Sequence, residues 1–281
     1  MEIKFTKMHG IGNDYIYVNC LDGIPFDPSE VAIAMSPRHF SVGSDGLVLI
    51  CSSQVADAKM RMFNADGSEG KMCGNAIRCV GKYLYDNKIV DKTEITIETL
   101  SGIKTLWLNV ENGLVESVRV DMGIAIIQAD LVPVIHEGEM IDAPVEVNGK
   151  TYNMTAVSMG NPHSVIFMDE VSTLDLEKIG PDFENHPIFP DRVNTEFVKV
   201  IDPLTLEMRV WERGSGETFA CGTGSCATVV ASVLNGISPK NEAVTVKLIG
   251  GDLKIEVADD LRVFMTGKAK KVYEGVYEYE N

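Results

Sequence analysis

Hydrophobic and polar positions along this chain fall mainly into a two-residue rhythm. Lys4–His9, Tyr15–Asn19, Leu47–Ser53, Ala58–Asn64, Glu94–Thr99 and Ile103–Val110 are short and either alternate in polarity or are rich in β-branched residues. Gly, Asp and Asn bound them. That pattern predicts β-strands. Thr151–Val157, Ser164–Met168, Thr195–Ile201, Glu207–Glu212, Ala243–Ile249 and Leu253–Ala258 read the same way. Two segments break the rhythm. Gly74–Asn87 carries Ile77, Val80 and Leu84 at helical spacing, Gly222–Asn235 carries Val229 and Val233, and Asn-Lys or Asn-Gly closes each helix. Gly81, Ala227 and Ala231 keep both helices slim, as suits a helix wrapped closely by a sheet.

Laying Arg61–Asn75 over Arg209–Thr223 brings Arg, an aromatic residue, Glu, Cys and Gly into coincidence without a gap. The offset is 148 residues, the separation of Cys73 from Cys221. The same shift places Gly12-Asn13 on Gly160-Asn161, Tyr15 on His163, and Gly46–Ile50 on Asn194–Val198. One offset shared by three segments marks an internal duplication. The fold expected is α/β (α+β), two pseudo-symmetric halves with strands around one principal helix in each. The halves divide near residue 120, around Val118–Gly123. Residues 1–120 carry Cys73 and residues 121–267 carry Cys221, and the strand-rich tail 268–281 is expected to rejoin the first half.

Composition narrows the function classes. The 281 residues are 45% apolar and 23% charged, enough for a substantial core. A net charge of −16 disfavours nucleic acid or an acidic membrane surface as partner. The first ten residues alternate in polarity, so no secretory signal is expected. No apolar run approaches the roughly 18 residues of a spanning helix. The six cysteines then read as reduced thiols of a cytoplasmic protein, and the lack of any C-x-x-C spacing argues against a structural zinc site.

Cys73 and Cys221 both stand where a strand and a glycine-containing loop give way to a helix. Backbone N–H groups and the helix dipole there favour an anion, and they lower a thiol pKa or hold a carboxylate equally well. Gly74 and Gly222 permit close approach of a ligand to the backbone. A pseudo-twofold between the halves would set one thiol on each side of a bound carbon, in a cleft between the halves. A racemase or epimerase needs that arrangement, because a single base returns the proton to the face it came from. Asn13, Asn64, Asn75, Asn161 and Asn194 offer amides for carboxylate or ammonium groups. Arg213 offers a fork for a carboxylate, and Glu212 and His163 are candidates to receive an ammonium or to steer thiol ionisation.

Each feature has a plainer reading when taken singly. A buried thiol beside glycine is usually packing; retention of Cys-Gly in both copies is what favours chemistry. Cys20, Cys51, Cys79 and Cys226 read as core residues. His163 after Asn-Pro is by default a turn histidine, Glu212 a solvated strand end and Arg213 its surface partner. The glycine-rich stretches at 67–70 and 214–216 match neither a P-loop nor a dinucleotide fingerprint.

Taken together, Met8–Tyr15, Phe63–Cys79, Ser158–His163, Arg192–Phe197 and Glu212–Ser225 make the chain resemble the diaminopimelate epimerase family over essentially its whole length. The resemblance implies curved, mostly antiparallel sheets around the central helices, with the substrate in the cleft. It implies a homodimeric, cytoplasmic isomerase without pyridoxal phosphate, metal or other cofactor, which interconverts LL- and meso-2,6-diaminopimelate on the route to lysine and the peptidoglycan cross-link. By motif, Cys73 and Cys221 become the acid–base pair, assisted by His163 and Glu212. Asn13, Asn64, Gly74, Asn75, Asn161, Asn194, Glu212, Arg213, Gly222 and Thr223 become substrate contacts. One departure is Asp45-Gly46, where some members carry Gln after Asp, so a side-chain contact is absent there. Two other readings stand beside this one: a proline- or hydroxyproline-type racemase with the same paired thiols, and a non-catalytic thiol redox or binding protein on the same scaffold.

Overall fold

The computed structural model describes residues 1–280. Its backbone gathers into two compact units, Met1–Asp121 with the chain from Thr266 onward, and Met122–Met265. In the first unit, β1 (Glu2–Gly10), β2 (Asn13–Cys20), α1 (Pro28–Met35), β3 (Gly46–Cys51), β4 (Ala58–Asn64) and the two-residue β5 (Glu69–Gly70) precede α2 (Gly74–Asp86). β6 (Glu94–Thr99), β7 (Gly102–Glu111) and β8 (Leu114–Ile124) follow. The second unit runs β9 (Ala143–Val147), β10 (Lys150–Ser158), β11 (Pro162–Phe167), α3 (Leu176–Glu184), β12 (Asn194–Asp202), β13 (Thr205–Glu212) and the short β14 (Gly216–Glu217). Then come α4 (Gly222–Leu234), β15 (Ala243–Leu248), β16 (Gly251–Val257) and β17 (Arg262–Lys268). The tail forms β18 (Lys270–Glu278).

The pairing order repeats. β1 pairs antiparallel with β2, β2 parallel with β3, β3 antiparallel with β4, β4 parallel with β6 and β6 antiparallel with β7. β10, β11, β12, β13, β15 and β16 follow the same sequence of senses. On the outer side of β1 lies β18, antiparallel, and on the outer side of β10 lies β9, antiparallel as well. The carboxy-terminal strand therefore fills in one unit the place that a preceding strand fills in the other.

β3 is apolar and buried along its whole length because the sheet is covered on both faces. α2 packs on β1, β2 and β7, and Gly81 explains the close fit. A Cβ there would lie 2.9 Å from Leu106 Cδ2 and 3.1 Å from Leu108 Cδ2. The sequence pattern predicts one principal helix per half; each unit holds a second, shorter one. Val31, Ala32 and Met35 of α1 join Ile16, Val18, Leu47 and Leu49 in one core cluster. Leu176 and Phe183 of α3 join Ile166, Phe197 and Trp211 in another. α1 starts on Asp27, whose carboxylate accepts from the Ser29 and Glu30 N–H groups. α3 has no side-chain cap and contains Pro181, so its sequence signal is weak. Among the described residues, no helix is long and apolar enough to cross a membrane.

Candidate active site

Each unit presents a cysteine as the N-cap of its principal helix: Cys73 for α2 and Cys221 for α4, both with extended backbone. The strand before each turns through a short hairpin, β4–β5 or β13–β14, and delivers the chain to the helix start.

In the first unit the Cys73 thiol donates to Asn13 Oδ1 at 3.3 Å. Asn13 is the first residue of β2, and its Nδ2 donates to Asp45 Oδ2 at 2.8 Å. That bond decides which end of the amide faces the sulfur. Asp45 is in turn held with Asp14 by Arg38, whose guanidinium lies 2.6 Å from Asp14 Oδ1 and 2.7 Å from Asp45 Oδ1. Lys7 pairs with Asp14 and also donates to the Gly43 carbonyl. Burial and the adjoining Asp14 push the Asp45 carboxyl up, while Arg38 and Lys7 hold Asp14 down against its own burial. Asn75, in the first turn of α2, is buried, and its Oδ1 accepts from Arg78 Nη2 at 2.8 Å. Asn64 ends β4 at the surface and donates to Ser68 Oγ at 2.9 Å.

Gly46 accounts for the departure at the third motif. A Cβ on it would stand 2.0 Å from the Phe63 carbonyl oxygen, so no side chain fits. Its neighbour Asp45 acts on the site instead, through Asn13.

The second unit is differently charged. Cys221 Sγ accepts from the Gly224 N–H at 3.3 Å and lies 3.6 Å from Thr223 Oγ1. Thr223 Oγ1 also receives Asn161 Nδ2 at 3.4 Å. His163 is wholly buried, with Nδ1 2.7 Å from Glu196 Oε1 and Nε2 3.1 Å from Asn161 Oδ1. Both ring nitrogens are thus taken, and His163 reaches the sulfur through Asn161 and Thr223. Glu212 Oε1 accepts from Thr218 Oγ1 at 2.5 Å. Burial pushes the Glu212 carboxyl up, opposed by hydrogen bonds from Thr218 and the Cys221 thiol. Burial, then the charges of Glu212 and Glu196, push the Cys221 thiol well above the usual thiol range. The Thr223 hydroxyl and the Gly224 N–H pull the other way.

Asn194 opens β12, buried, with Nδ2 donating to the Pro162 carbonyl at 2.9 Å and Oδ1 accepting from the Arg213 N–H at 2.9 Å. It ties β11 to the β13–β14 turn. Arg213 donates through Nη1 to the Asp191 carbonyl at 2.7 Å. Gly74 and Gly222 open their helices at the N1 position. The remaining cysteines are buried thiols; burial lifts Cys20 to about 12 and Cys79 to about 11, which leaves them inert at neutral pH. Among the described residues, no three His, Cys, Asp or Glu side chains are grouped so as to hold a metal ion.

Asp45, Arg38 and Glu196, which act on the surroundings of the two thiols, escaped the sequence reading. Asp45 stands beside a glycine that was singled out, so a signal existed. Glu196 lies inside a quoted motif, but a charged residue in a strand reads as solvent-facing, and only the packing of α4 buries it.

The fold is that of a group of duplicated α+β proteins. A probable proline racemase from Agrobacterium radiobacter K84 superposes with a TM-score of 0.73 at 15% identity, over 99% of this chain and 93% of that one. A phenazine biosynthesis protein of the PhzF family from Bacillus anthracis superposes with a TM-score of 0.71 at 16% identity, over 99% and 100%. At such identities the likeness is one of fold alone. Sequence goes further. The family model for diaminopimelate epimerase matches residues 5–127 and 155–272. The diaminopimelate epimerase of Acetivibrio thermocellus is 58% identical over 97% of this chain and 98% of its own length. That of Methanococcus maripaludis strain S2 is 56% identical over 97% and 99%. The chain belongs to the diaminopimelate epimerase family.

Proposed function

We propose that this protein epimerises LL-2,6-diaminopimelate to the meso form, in the biosynthesis of lysine and peptidoglycan precursors, with Cys73 and Cys221 as an acid–base pair on opposite faces of one α-carbon. The observation that carries the reading is the matched placement of the two thiols as N-caps of corresponding helices in duplicated units of a chain from this family.

The two walls divide the work. Burial and two carboxyls push the Cys221 thiol well above the usual thiol range, so we assign it the donor's part and give the abstraction to Cys73. The Cys73 sulfur takes the α-proton, and Cys221 Sγ–H gives its proton to the other face. The charge that develops on the substrate carboxylate is met by N–H groups of the helix starts at Gly74, Asn75, Gly222 and Thr223. One such donor is worth about 3 kcal/mol in a transition state. Asn13, held by Asp45, sets the environment of the Cys73 sulfur, and Glu212, bonded through the Cys221 thiol, sets that of the other. Asn64, Asn161, Asn194 and Arg213 supply polar groups for the amino and carboxyl ends of the substrate. No cofactor is required by this scheme, because the thiols carry both proton transfers.

We also place the enzyme in the cytoplasm, as a homodimer. Val272, Tyr273 and Val276 expose apolar surface along β18, beside a concavity of about 670 Å³ bordered by Phe5, Tyr17, Phe26 and Tyr83, and a second copy is the occupant this surface suits. Sedimentation at micromolar concentration tests this.

The mechanism is tested by Cys73→Ala and Cys221→Ala. Each should lower epimerisation by roughly 10²–10⁴-fold or more, read by separation of the LL and meso isomers and by α-hydrogen exchange with deuterated water. Near-wild-type turnover in either variant would sink the reading.

A further inference from the structure

Four side chains and a buried carboxylate of the second unit form one continuous chain of hydrogen bonds. From Glu196 Oε1 it runs to His163 Nδ1 at 2.7 Å, from Nε2 to Asn161 Oδ1 at 3.1 Å, from Nδ2 to Thr223 Oγ1 at 3.4 Å, and from that oxygen to Cys221 Sγ at 3.6 Å. We propose that Glu196 is a positioning residue for the reaction, the buried anchor that makes every donor in this chain point towards the Cys221 sulfur. The inference rests on the two-thiol reading above.

Valence sets the direction. Asn161 turns its NH₂ to Thr223 and its Oδ1 to His163, and a carbonyl oxygen only accepts. His163 Nε2 therefore carries a hydrogen. Nδ1 and Glu196 Oε1 share a second proton, which leaves the ring no other orientation. The Thr223 hydroxyl accepts from Asn161, and because the Cys221 thiol is engaged with Glu212, the hydroxyl's own hydrogen goes to the sulfur. With the Gly224 N–H at 3.3 Å, two donors then converge on Sγ. When Cys221 delivers its proton to the α-carbon, the S–H bond breaks, the C–H bond forms, and the electron pair stays on sulfur. The chain polarises towards that new thiolate without any proton having to travel along it. In the reverse turn the same sulfur takes the α-proton and the chain relaxes.

The fold itself does not ask for an acid at this place. Val48 occupies the corresponding position of β3 in the first unit, 148 residues earlier, and Tyr15 the position of His163. Glu196 is fully buried, and its Oε2 makes no hydrogen bond within the structure. A buried carboxyl with one unsatisfied oxygen costs stability. The groups facing it are His163 from β11, Glu212 from β13 and Cys221 from α4. All of them belong to the proposed chemistry.

The test combines kinetics with ¹⁵N NMR of the histidines in the full-length protein. In the wild type at neutral pH, His163 should show a protonated Nε2; an unprotonated Nε2 would overturn the inference without reference to activity or to any variant. Glu196→Gln should lower kcat on the order of 10–100-fold, the scale seen when a carboxylate that orients a metal-bound histidine is removed. KM should stay within about twofold, and the His163 ¹⁵N signature and the pH profile of kcat should both shift. The double variant Glu196→Gln with Thr223→Val should cost little more than the worse single one, since both break the same chain. Full additivity, or an unchanged pH profile in Glu196→Gln, would overturn the proposal. Retained turnover in Cys221→Ala would instead sink the two-thiol reading.

Discussion

Gly224→Ala adds one methyl group at the crossing of the buried acid and the sulfur. The new Cβ would lie 2.6 Å from Glu196 Oε1 and 3.1 Å from Cys221 Sγ. The carboxylate cannot retreat easily, because it is wholly buried and held 2.7 Å from His163. Two effects oppose each other. Alanine is favoured over glycine within a helix by about 0.8–1.0 kcal/mol, and overpacking a dense core costs about 1–3 kcal/mol. The net loss of stability is therefore small, at most about 2 kcal/mol. Activity should suffer more, because relief of the clash moves either Sγ or the carboxylate by several tenths of an ångström, and a 1 Å misplacement at a reacting centre costs on the order of 10²-fold. The first unit supplies the comparison: Ala76 holds the equivalent place in α2, where the strand opposite has Val48 instead of an acid. Expected is a fall in kcat of roughly tenfold or more, measured by isomer separation, with a melting temperature changed by only a few degrees. A variant with kcat within about twofold of wild type would refute the tight packing of Glu196 against the helix start.

Glu212→Gln should trade activity for stability. Because burial raises the folded-state pKa of this carboxyl, the native protein holds the proton more tightly than the unfolded chain, and stability falls as pH rises from the unfolded value through the folded one. Glutamine removes that penalty, so the variant should melt higher than wild type at pH 7, gain nothing at pH 3, and turn over more slowly; an equal gain at both pH values would count against a raised carboxyl. Gly46→Ala should destabilise by about 1–3 kcal/mol or more, seen as a lower denaturant midpoint, since its Cβ meets a backbone carbonyl rather than a flexible side chain.

Much of the architecture is local in origin and can be read from the chain. The two principal helices are legible because their apolar spacing and their cysteine-glycine starts are sequence features. The duplication is legible because Gly12 and Gly160 hold the same left-handed turn, at φ 93° and 96°, which only glycine adopts readily. α1 carried a usable signal in Asp27-Pro28-Ser29-Glu30, an N-cap with proline at N1 and an acid at N3. α3 carried a weaker one, Leu176, Ile179 and Phe183 at helical spacing, offset by Pro181 and the lack of a side-chain cap.

The identity of the two thiols and most polar residues around them belongs to the sequence by itself, since repeated motifs need no third dimension to be seen. What tertiary structure alone decided is how the surroundings of the two thiols differ. Asp45 turns the Asn13 amide, Glu196 is driven under α4, and both His163 nitrogens become occupied, because burial and hydrogen-bond valence depend on residues distant in the chain. A charge in a strand carries no mark of the helix that will cover it. The matched pair of cysteines is written in the sequence; the burial and the neighbouring carboxyls that push the Cys221 thiol up arise only when β11, β12, β13 and α4 pack together.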